Sequence, residues 1–89
     1  MNKMEIKKKV VLRTVAGETM LIPVGDTTVE YNGLFYLTDT AATAFKAIQD
    51  GADEEEALNA VLDEYEIDEV TAKKDLDEFF SSLREFGII

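Results

Sequence analysis

The sequence predicts an α+β domain, with a short antiparallel strand meander in the N-terminal half followed by three α-helices. Two patterns and one spacing predict it. β-branched and apolar runs broken by turn residues fill residues 10–37, and apolar residues at helical spacing fill residues 39–86. Only a few residues separate one element from the next, which leaves no room for a linker. Eighty-nine residues suit one domain, residues 1–89, with Met1 to Lys9 expected to form a flexible N-terminal segment.

Val10 to Val15 and Glu18 to Val24 read as strands around Ala16-Gly17, where Gly17 supplies the positive φ of a tight reversal. Pro23 has no N–H to donate, so that side of its strand should not face a ladder partner. Thr27 to Tyr31 and Leu34 to Leu37 flank Asn32-Gly33, the strongest short hairpin signal. Three or four short strands result. The first helix should run from about Asp39 to Gln49, with Thr38 or Asp39 as its cap, Gly51 as its stop, and Ala41, Ala44, Phe45 and Ile48 facing inward. Asp53 opens the second, and Glu56 three residues later completes a capping box. Its inward residues are Ala57, Leu58, Val61, Leu62 and Tyr65. The third starts near Asp68 and ends at Gly87.

Composition removes several function classes. The chain has no His and no Cys, so the usual zinc, copper, haem and iron–sulfur ligands are missing, as are Cys nucleophiles and His bases. The glycines are isolated and form no phosphate loop. Asp50-Gly51-Ala52-Asp53-Glu54-Glu55-Glu56 lacks the alternating acids of a calcium loop. The expectation is therefore a non-enzyme without cofactor or metal. The longest apolar run, Met20 to Val24, is far short of the roughly 18 residues of a membrane span, and Met1 to Lys9 lacks the apolar stretch of a signal peptide. These features point to a cytoplasmic protein that does not engage the membrane. Residues 1–37 carry five Lys/Arg and four Asp/Glu, a net of +1, whereas residues 38–89 carry four and fifteen, a net of −11. An anionic helical half repels nucleic acid and favours a protein partner or a basic surface. Lys7-Lys8-Lys9, the only basic run, reads as a solvated face.

On a helical wheel of the third helix, Ala72, Leu76, Phe79, Leu83 and Phe86 form the expected core face. The adjacent stripe is Lys73, Asp77, Phe80 and Arg84, an aromatic ring between basic residues, placed beside the core and not within it. Two readings of this stripe stand. Lys73–Asp77 is a plain i,i+4 pair and Phe80 widens the core, or the stripe faces a ligand, its cations suiting a peptide with acidic residues. The aromatic-rich strand Leu34–Leu37, last of the meander, can lie at a sheet edge and accept an extended peptide as a further strand. The same edge also permits a homodimer by sheet extension.

The order Gly33-Leu34-Phe35-Tyr36-Leu37-Thr38-Asp39-Thr40-Ala41, Phe45, Asp50-Gly51, Tyr65, Asp75-Leu76, Phe79, Leu83 and Gly87-Ile88 resembles the PqqD-like proteins, also called RiPP precursor peptide recognition elements. The resemblance covers roughly residues 10–89. It implies a winged helix-turn-helix with an antiparallel three-stranded meander and three helices, in which a precursor's leader peptide adds to the third strand and packs against the third helix. Mapped onto this chain, the peptide-binding residues are Tyr31, Leu34, Phe35, Tyr36 and Leu37 on the strand, with Lys73, Asp77, Phe80 and Arg84 on the helix. The partners it implies are the leader peptide and a peptide-modifying enzyme, often a radical-SAM maturase. Two departures are visible. Thr38 stands where the family commonly has Asn, and the stretch Gly25–Asn32 exceeds the usual short turn, which speaks against the quinone pathway specifically. Two further readings compete. A winged-helix transcription regulator needs a basic recognition helix, and an acyl carrier protein needs an Asp-Ser-Leu setting where this chain has Ser81-Ser82-Leu83.

Overall fold

The computed structural model of the protein describes residues 6–7, 9–24 and 35–89, and the side chain of residue 35 falls outside that description. Strand β1 (Val10–Val15) turns at Ala16-Gly17 into β2 (Glu18–Pro23). Both turn residues have positive φ, 52° at Ala16 and 81° at Gly17, as a two-residue turn between right-twisted strands requires. The ladder runs from Val15 opposite Glu18 to Val10 opposite Pro23. Strand β3 (Phe35–Leu37) pairs antiparallel with β2, Leu37 opposite Thr19 and Tyr36 opposite Met20. The sheet order is β1-β2-β3, so among the described residues β3 pairs with β2 alone and forms one edge. The proposed strand from Thr27 to Tyr31 and the Asn32-Gly33 hairpin lie outside the described residues, as do Tyr31 and Leu34 of the expected site.

Helix α1 (Asp39–Gln49) starts where the Thr38 hydroxyl accepts the Ala41 N–H at 3.2 Å. Helix α2 (Glu54–Glu64) carries the expected capping box. The Glu56 N–H donates to Asp53 Oδ1 at 2.8 Å, and the Asp53 N–H donates to Glu56 Oε1 at 3.0 Å. Helix α3 (Glu69–Glu85) is capped by Asp68, whose carboxylate accepts the Thr71 N–H. Gly51 and Gly87 both adopt positive φ, 102° and 75°, beyond the ends of α1 and α3. Three antiparallel strands followed by three helices give the expected α+β fold.

The core lies where the three helices meet the inner face of the sheet. Leu21 and Leu37 come from the sheet; Ala41, Ala44, Phe45 and Ile48 come from α1, and Ala57 and Val61 from α2. Ala72, Leu76, Phe80 and Leu83 come from α3, and Ile88 closes the cluster. Leu58, Leu62 and Tyr65, expected inward, are only partly buried. Tyr65 reaches α1 with its hydroxyl, which donates to the Asp39 carbonyl at 3.3 Å and lies 3.1 Å from the Thr43 hydroxyl. Thr43 in turn donates to Glu64 at 2.7 Å, so one polar seam ties α2 to α1. Within the segment expected to be flexible, Ile6 packs on the core and the Lys7 N–H donates to the Ile88 carbonyl at 2.7 Å.

Candidate functional site

Alternation along β3 separates its side chains: Leu37 points into the core at 9% exposure, and Tyr36 points out at 60%. Helix α3 packs mainly on α2 and α1. A groove of about 360 Å³ remains between it and the end of β3. Tyr36 and Leu37 from the strand, and Thr38, Thr40 and Ala41 at the start of α1, form one side. Asp75, Leu76, Glu78, Phe79 and Ser82 of α3 form the other.

The two phenylalanines are placed differently from the expected stripe. Phe80 is 2% exposed and lies in the core, not beside it, while Phe79 is half-buried and lines the groove. Phe86, expected in the core, is 49% exposed. The core face of α3 is rotated toward α2 relative to the expected one, because α2 covers the flank that carries Phe80. Spacings of four and three both continue a helical stripe, so Phe79 and Phe80 fit the wheel equally. Only the position of α2 separates them.

The rest of the helical stripe moves with it. Lys73, Asp77 and the buried Phe80, three residues of the expected stripe, line a second hollow of about 380 Å³ between α2 and α3, with Glu54, Glu55 and Glu69 around it. Arg84 pairs with Glu54 across the same seam at 2.7 Å. The structure thus gathers Tyr36 and Leu37 with Phe79, and keeps Lys73, Asp77 and Phe80 together on the α2 side, where Arg84 also lies. The flank of α3 that carries Asp75, Glu78 and Ser82 is the one that faces β3. No sequence signal marks it, since its members are ordinary polar helix residues.

Among the described residues no group of His, Cys, Asp or Glu has the arrangement to hold a metal ion. No helix there is long and apolar enough to cross a membrane.

The sequence profile of the family described as coenzyme PQQ synthesis protein D (PqqD) matches residues 18–89, well over half of the chain. The chain belongs to the PqqD family. Among solved structures, this PqqD-family domain is similar to TbiB1 in complex with the TbiA(β) leader peptide. The TM-score is 0.71 at 25% identity, over 96% of this chain and 93% of that one. No curated protein gives a significant sequence match. The match in fold covers nearly all of this chain, and the matched protein was solved with a leader peptide bound.

Proposed function

We propose that this PqqD-family domain captures the leader segment of a ribosomally made precursor peptide by strand addition to β3, and presents it to a peptide-modifying enzyme. The observation that carries this reading is the groove between the β3 edge and α3. Unpaired main-chain groups of an edge strand supply affinity independent of sequence, and the adjoining pocket selects side chains. Leu37, Leu76 and Phe79 give that pocket an apolar floor. The similarity to a leader-bound protein supports the same occupant. On this reading the domain itself is not catalytic and acts in the cytoplasm, its enzyme partner being of the maturase type, radical-SAM enzymes among them. Nucleic acid is disfavoured because residues 38–89 carry a net charge of −11. A second copy could occupy the same edge, and a homodimer would then compete with the leader.

Titration with leader peptides encoded beside the gene, followed by backbone amide shifts, tests the proposal. The expected result is saturable shifts centred on Tyr36, Leu37 and Phe79, with micromolar or tighter affinity. Shifts confined to Lys7 and Lys9, or to the helical face around Glu54 and Glu55, would overturn it.

A further inference from the structure

The walls of the β3–α3 groove are charged in one sense only. Asp75 and Glu78 stand on its α3 side, and none of the described residues lining it is cationic. Both acids are exposed at the rim, beside half-buried Phe79 and Ser82. The two cations expected to flank the ligand are on the α2 side, one of them joined to Glu54. Lys74, one helical turn before Glu78, is exposed and lies outside the groove lining.

We propose that the groove selects an extended peptide with a Lys or Arg and an apolar residue two positions apart on the side facing α3. This inference rests on the strand-addition reading and specifies its ligand. Side chains on one face of a strand recur about every 6.7 Å. Asp75 to Ser82 spans roughly 10 Å of helix, at about 1.5 Å per residue, so two successive inward side chains fit along it. One meets the apolar floor at Phe79, Leu37 and Leu76. The other lies beside Asp75 and Glu78, which are three residues apart and share a helix face. A peptide with an acid at that position places like charges together and loses the contact.

The test uses the whole protein and three short probes, acetylated and amidated: Ser-Thr-Leu-Thr-Lys-Thr-Leu-Thr-Ser and its Glu and Gln counterparts at the central position. Amide shifts at Tyr36 and Leu37 report binding, at low ionic strength where rim charges act most strongly. The Lys probe should bind about tenfold more tightly than the Glu probe, the effect expected of two rim charge pairs. The double variant Asp75→Asn, Glu78→Gln should abolish that preference. The double variant Glu55→Gln, Glu66→Gln, with the same net charge, should preserve it to within about twofold. Equal affinity for the three probes, with shifts at Tyr36 and Leu37, sinks the charge preference and leaves strand addition standing. Equal losses in both double variants show general attraction to an acidic protein and also sink it. If no probe and no encoded leader moves those amides, strand addition fails and this inference falls with it.

Discussion

Phe79 and Phe80 are chain neighbours with ring centroids 5.7 Å apart, tilted at 40°, and their roles divide between site and core. Phe80 is among the largest fully buried side chains. Its truncation in Phe80→Ala should cost about 3–5 kcal/mol, through lost burial and the cavity left behind. Phe79, only partly buried, should cost roughly 1–2 kcal/mol as Phe79→Ala while removing most leader binding. Urea denaturation beside a peptide titration separates the two, and the reverse ranking would place the core on the other flank. Ala16 offers a second test at this scale. It holds φ of 52° with its side chain exposed, a region where a left-handed conformation costs about 1 kcal/mol for most residues but less for Asn. Ala16→Asn should therefore stabilise the domain by about 0.5–1 kcal/mol, seen as a Tm increase of roughly 2–8 °C. An unchanged or lower Tm would mean that the turn does not limit stability.

At the scale of the element, all three helices are set by local chemistry that could be read from the sequence. Thr38, Asp53 and Asp68 cap them, and each side chain accepts an N–H from the first turn. The bounds of α1 match the expected ones because Thr38 and Gly51 act within a few residues of its ends. Asp53→Ala removes the side-chain acceptor of the Glu56 N–H and leaves only the bond from the N–H of residue 53 to the Glu56 carboxylate. The loss should be about 1 kcal/mol, with unfolding still cooperative, measured by chemical denaturation. A loss below about 0.3 kcal/mol would show that packing of Ala57 and Val61 fixes α2 without its cap. The strands were legible in the same way for β1, β2 and the turn between them. For β3 the described portion is short, Phe35–Leu37. Its edge position follows from pairing with β2, which a local pattern does not specify.

Across the whole molecule, the proposed site needs β3 and α3, two elements distant in sequence, to border one groove. If the leader binds only the folded domain, at about a hundredfold its Kd it should add ~2.7 kcal/mol of stability. For an 89-residue chain that amounts to a Tm rise of roughly 10–20 °C by calorimetry. No rise with a peptide that shifts the β3 amides would mean that the unfolded chain binds it equally. A homodimer through the same edge, if formed, should also dissociate as leader is added, which sedimentation can follow. The sequence by itself determined the class of fold, the caps and ends of the helices, the first hairpin, the inward residues of α1 and the acidity of the helical half. All of these rest on contacts within a few residues, or on composition. The tertiary structure alone decided which flank of α3 meets β3, and so exchanged Phe80 for Phe79 and a basic stripe for an acidic wall. Helical periodicity fixes which residues share a face, but the direction in which that face turns is set by where α2 packs.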